Sequence, residues 1–205
     1  MNDIPHIFTI LFLMLGPFKI IVPYAKLTED ADKVLARKIA IRAIAYSSLA
    51  LLMAATIGEK ILTNYGIPVP ILAMTGGIVL FLVALINVVQ QFGWQTPHEH
   101  QKEEPSLKMA MYPLAFPTIV TPYGIAAVIV FMALMPDMKG RLLIGALVVG
   151  IMVLNLVFML VNRYIFRFLA LVLPVLAAVL GVVQVALGLW IMYRSYTQLP
   201  KISMP

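Results

Sequence analysis

The chain has 205 residues, of which 62% are hydrophobic and only 12% charged, with a net charge of +6. A mean hydropathy of +0.98 leaves too little polar surface to cover a soluble core of this size, and so much Leu, Ile, Val and Phe excludes a disordered chain. The absence of cysteine removes disulfides, thiolate metal sites and cysteine nucleophiles. The cations sit in short segments between apolar runs, a pattern of membrane orientation and not of nucleic-acid binding.

Six apolar segments reach the roughly 20 residues that a helix needs to cross a bilayer. In chain order they run from Ile4 to Tyr24, Ile39 to Ile57, Pro68 to Val89, Met109 to Met135, Leu142 to Val161 and Phe168 to Tyr193. They are too long, and too apolar on every side, for barrel strands. The N-terminus, with Asp3 and His6 and no basic segment, does not read as a signal peptide. The segments that follow the first, third and fifth spans carry Lys26, Lys33, Arg37, Lys38, Lys102, Lys108, Arg163 and Arg167. The opposite side carries Lys60, Lys139, Arg141, Arg194 and Lys201. Eight cations against five predict that both termini lie outside the cytoplasm.

The longest polar stretch, Gln91 to Lys108, reads as a loop. Its His98-Glu99-His100 invites a metal reading, but histidines at i and i+2 do not share a helix face and no third ligand is near in sequence, so a solvated loop is the reading adopted and no metal or other cofactor is predicted.

The spans repeat. Shifted by 104 positions, the third span falls on the sixth with six identities in the sixteen positions from Pro70 to Leu85. The second falls on the fifth at 103 (Ile41 on Ile144, Ala43 on Ala146) and the first on the fourth at 105 (Pro17 on Pro122, Ile20 on Ile125). Each half has three spans, an odd number, so two halves joined in sequence sit in opposite orientations. The predicted architecture is an all-α membrane protein of six transmembrane helices arranged as two inverted three-helix repeats, residues 1–97 and 109–205, joined by a polar linker at 98–108.

Helices 1 and 4 are predicted to be discontinuous. Gly16-Pro17 and Pro23 interrupt the first span, and Pro113, Pro117, Pro122 and Gly124 the fourth. Each proline removes a backbone donor and crowds the preceding turn. In lipid the freed groups are tolerated only inside protein or facing a polar cavity, so breaks in corresponding spans point to a binding site. Gly16, Pro17, Phe18 and Lys19, with Thr121, Pro122, Tyr123 and Gly124, are the predicted substrate-binding segments. Asn155 and Gln184, mid-span in the fifth and sixth, are predicted to join them by lining a polar path. Lys19 has two readings: attraction of an anionic group such as a carboxylate, or snorkelling and pairing with carbonyls freed by Pro17 and Pro23. Arg42 reads as snorkelling.

These segments also carry a family resemblance. Leu15-Gly16-Pro17-Phe18-Lys19 through Pro23, followed by Ala25-Lys26-Leu27-Thr28, resembles the first conserved segment of the MarC family. Pro113-Leu114-Ala115-Phe116-Pro117 and Thr121-Pro122-Tyr123-Gly124-Ile125 are similar to its second, and Thr75-Gly76-Gly77-Ile78 to the glycine pair of its third span. The resemblance implies a six-span inner-membrane protein built from inverted repeats. It also implies, for SnatA-type members, transport of small neutral amino acids coupled to an ion or a proton. The chain departs from the commoner family pattern in having Gly16-Pro17-Phe18-Lys19 in place of Asn-Pro-x-Gly, and Pro-Tyr-Gly at residues 122–124 where many members have Pro-Gly.

No acidic residue falls inside a span as read here; Asp3 and Glu59 lie at edges. Coupling is then absent, or uses sodium held by backbone carbonyls, or uses a proton at an edge acid. Ser47 and Ser48 have no histidine at comparable depth, and no phosphate-binding glycine loop occurs, which speaks against an enzyme and against ATP-driven transport. The leading reading is a secondary transporter whose partners are the lipid bilayer and a small-molecule solute, most simply a small neutral amino acid. The alternative is a non-transporting scaffold or regulatory membrane protein of the same family.

Overall fold

The computed structural model describes residues 4–91, 105–135 and 137–199, with side chains for all of these except residues 91 and 163–174. Every regular element among the described residues is helical. In chain order these are α1 (Ile4–Leu15), α2 (Phe18–Leu27), α3 (Lys33–Asn64) and α4 (Val69–Gln91). A short 3-10 turn (Leu107–Ala110), an irregular helical segment (Met111–Ile119), α5 (Pro122–Leu134) and α6 (Met138–Gln198) follow. Five stretches are long and apolar enough to cross a membrane: Ile4–Leu27, Lys33–Asn64, Val69–Gln90, Met138–Asn162 and Val175–Gln198. The pair Leu107–Ile119 and Pro122–Leu134, bent by 64°, makes a sixth if counted as one broken span. His98, Glu99 and His100, the cation Lys102 and most of the 98–108 linker lie outside the described residues.

α3 is longer than its apolar run. Asp32 caps it, accepting from Leu35 N–H at 2.8 Å, and its 32 residues span about 48 Å at 1.5 Å per residue. That exceeds the roughly 30 Å hydrocarbon core, so both charged ends reach beyond it. Glu59 therefore belongs to the last turns of the helix, where it pairs with Arg141 of α6. The sequence reading ended the span at Ile57 because apolarity stops there; helical hydrogen bonding does not.

α6 is one helical element where two separate spans were expected, but it cannot be one rod. Asn155 and Gln184 are 29 positions apart, about 43 Å along a straight helix. Yet Asn155 donates to Leu15 O and Gln184 to Leu13 O, carbonyls two residues apart in α1. The element therefore folds back between Asn155 and Gln184, and its halves are the fifth and sixth spans.

The packing follows from apolar faces that differ in burial and not in chemistry. In the first half of α6, Ile144, Val148, Ile151, Met152 and Met159 are buried, while Val149, Val153, Val157 and Leu160 on the opposite face are exposed. A helix apolar all round belongs among other helices on one side and in lipid on the other. The core gathers Leu11 and Leu15 of α1, Ile39, Ala43 and Leu51 of α3, Leu80 of α4, Val128 of α5 and Ile144 and Ile151 of α6. α4 meets the second half of α6 through small residues. A Cβ on Gly188 would lie 2.8 Å from Phe81 N, and one on Gly77 3.1 Å from Gly188 O. Such close backbone approach is how membrane helices gain van der Waals contact.

Candidate functional site

The first break is built by Gly16 and Pro17. Gly16 N–H closes the last turn on Phe12 O at 2.8 Å, and any Cβ there would sit 2.1 Å from that oxygen, so only glycine fits. α2 starts again at Phe18. A helix end leaves four carbonyls without intrahelical partners, and all four of α1 are met. Phe12 O takes Gly16 N–H, Leu13 O takes the Gln184 amide at 2.9 Å, Leu15 O takes the Asn155 amide at 2.8 Å, and Met14 O takes the Lys19 ammonium.

The second break lies in the bent pair. Tyr112 and Phe116 have extended backbones, as residues before proline prefer, and the Tyr112–Pro113 and Phe116–Pro117 peptide bonds are cis. Pro122, grouped in the sequence reading with the prolines that interrupt the span, stands at the interruption as the first helical position of α5 and is exposed. Its missing N–H costs nothing there. Thr121 caps α5, its Oγ1 accepting from Gly124 N–H at 3.2 Å.

The two breaks meet. Gly124 packs on Leu15 so closely that a Cβ would lie 2.6 Å from Leu15 Cδ2. Lys19 Nζ lies 3.5 Å from Tyr123 Oη and 5.2 Å from the ring centroid, within cation–π range. The C-terminal end of α1, which carries about half a negative charge, thus faces the N-terminal end of α5, which carries about half a positive one. Asn155 is 1% exposed and fully engaged through its amide nitrogen, while its Oδ1 has no partner.

Two cavities flank this junction. One of about 470 Å³ lies among α1, α4, α5 and the second half of α6; Met14 and Tyr123 line it, as do the polar His6, Arg194, Ser195 and Gln198. Trp190 stands between the last groups, edge-on to His6 at 5.8 Å and under the Arg194 guanidinium at 5.2 Å. The other, about 70 Å³, is lined by Phe12, Leu13, Gly16, Phe18, Lys19, Leu180 and Gln184. The Lys19–Tyr123 contact joins the walls of the two.

Of the ten residues singled out from sequence, Gly16, Phe18, Lys19 and Gln184 line the small cavity and Tyr123 the large one. Pro17, Thr121, Gly124 and Asn155 are buried at the junction, and Pro122, beside them, is exposed. Sequence reading missed Asn162, 3% exposed, whose amide donates to Ile21 O of α2 at 2.9 Å. It follows Asn155 by seven residues, two helical turns, and so shares its face. Among the described residues no three His, Asp or Glu side chains gather as a metal site.

The sequence profile described as "MarC family integral membrane protein" matches residues 1–198. A protein of Methanocaldococcus jannaschii named a UPF0056 membrane protein is 32% identical over 141 residues, 67% of each chain. One of Aquifex aeolicus under the same name is 28% identical over 137 residues, 65% of this chain and 64% of its own. The UPF0056 inner membrane protein YhgN of Escherichia coli is 25% identical over 147 residues, 72% of this chain and 73% of its own. No solved structure matches.

Proposed function

This chain belongs to the MarC family of integral membrane proteins, and on that footing we propose that it is a secondary transporter of a small polar solute. The solute is a small neutral amino acid, as for SnatA-type members, moved by alternating access at the two broken spans. The observation that carries the reading is the meeting of the breaks: Gly124 on Leu15, and Lys19 beside Tyr123, between two cavities. A zwitterion needs a partner for each charge. The N-terminal end of α5, together with Lys19, favours its carboxylate, and the large cavity beside them leaves room for its ammonium end.

Residues 1–97 and 109–205 form the two inverted halves about the 98–108 linker. Supporting this, Asp32 and Asp137 cap α3 and α6 through their side chains, and they stand 105 positions apart, within two of the shift of 103 that relates these spans. The protein resides in the cell membrane, the inner membrane where a second one exists, with both termini outside the cytoplasm.

Uptake of a radiolabelled amino acid panel into proteoliposomes tests the reading. Saturable accumulation of small neutral members, lost when Gly16 is changed to Leu in chains that still insert, is the expected result. No uptake of any member, from liposomes with correctly inserted protein, would falsify it and favour the scaffold alternative.

A further inference from the structure

Of the four α1 carbonyls at the break, three are met by neutral groups and one, Met14 O, by the Lys19 ammonium. Among the described residues the ion pair is Arg141–Glu59, so no carboxylate balances Lys19. Its charge is offset by the negative end of α1 and by the Tyr123 ring. Helix C-terminal ends and unwound carbonyls are also the groups with which broken-helix transporters hold a coupling cation. One further buried oxygen belongs to a side chain that holds the same helix end. The Oδ1 of Asn155, 1% exposed, has no partner, and the amide of the same side chain sits on Leu15 O, one residue beyond Met14 O.

We propose, resting on the transporter reading above, that the Lys19 ammonium is a resident cation. It occupies, at the C-terminal end of α1, the place an alkali ion would otherwise take, so that solute movement by this chain is not coupled to sodium. The corollary concerns ligand chemistry: removing the ammonium with a short side chain opens a sodium site formed by Met14 O and its neighbouring oxygens.

The full-length chain, purified in detergent, is heated in sodium chloride and in choline chloride at equal ionic strength, as wild type, Lys19→Ala and Lys19→Met. Wild type should melt at the same temperature in both salts. Lys19→Ala should gain a saturable rise, roughly 3–6 °C at sodium tenfold above its Kd. Lys19→Met, which refills the space with an apolar chain of similar length, should gain none. A sodium-dependent rise in wild type overturns the proposal, as does a folded Lys19→Ala chain indifferent to sodium. If Lys19→Ala does not fold, wild type alone decides: uptake unchanged when choline replaces sodium supports a resident cation, and sodium-driven uptake refutes it. Failure of all uptake would remove the transporter reading while leaving the salt-dependent melting comparison intact.

Discussion

Replacing Gly124 with Ala tests whether the two breaks bear on each other. The new methyl would lie 2.6 Å from Leu15 Cδ2 and 2.9 Å from Thr121 Oγ1, where carbon contacts settle near 3.5–4.0 Å. Leu15 is fully buried and has little room to swing, and moving Thr121 gives up the α5 cap. Overpacking of this kind costs about 1–3 kcal/mol, or roughly 2–12 °C in Tm for a chain of this size. Leu15→Ala alone leaves a cavity and should cost about 2–5 kcal/mol. In the double variant the added methyl enters the space that Leu15 vacated, so the combined loss should fall short of the sum by about 1–3 kcal/mol. Thermal or denaturant unfolding of the four proteins in one detergent measures the coupling. Additivity within about 0.5 kcal/mol, or a harmless Gly124→Ala, would refute the reasoning that α5 begins against the end of α1.

Asn155→Leu strips Leu15 O of its donor but also removes the unpartnered Oδ1, and interhelical hydrogen bonds in membranes average about 0.6 kcal/mol. A loss of about 1 kcal/mol in unfolding free energy is expected, and a loss above about 3 would mean that more than this bond was broken. Gly188→Ala drives a methyl into the Phe81 backbone, which cannot rotate away. It should cost about 3 kcal/mol, whereas Gly150→Ala, with nothing within 4 Å, should be neutral or stabilise by up to about 1 kcal/mol. Reporter fusions at the C-terminus should give the extracytoplasmic signal; a cytoplasmic signal would reverse the orientation proposed from the cation count.

The spans were legible because apolar runs of about 20 residues have few other uses, and the first break because Gly16-Pro17 leaves a helix little choice. What sequence could not supply was partnership. Nothing local to Asn155 or Gln184 says that each ends on an α1 carbonyl, because those contacts join residues 140 and 171 positions apart. Lys19 had two readings of equal standing, and sequence could not supply its contacts with Met14 O and Tyr123, which lies 104 positions away. Pro122 marks the break as read, but its place in it was not legible, because a proline at a helix start and one inside a helix look alike in a string of residues; only the Thr121 cap tells them apart. α3 outran its apolar stretch because Asp32 caps it early and the Glu59–Arg141 pair lies near its far end.

The way α1 ends bears on how the protein is made. Its last carbonyls wait for Asn155 and Gln184, which leave the ribosome long after the first span has entered the bilayer. At about 5–20 residues per second, the 171 residues between Leu13 and Gln184 take roughly 10–30 s to synthesise. Until their partners arrive, Leu13 O and Leu15 O must be served by water, lipid headgroups or the insertion machinery. Nascent chains stopped before residue 155 should therefore be held by that machinery or degraded, and release of the first span into lipid should come only as the second half of α6 arrives.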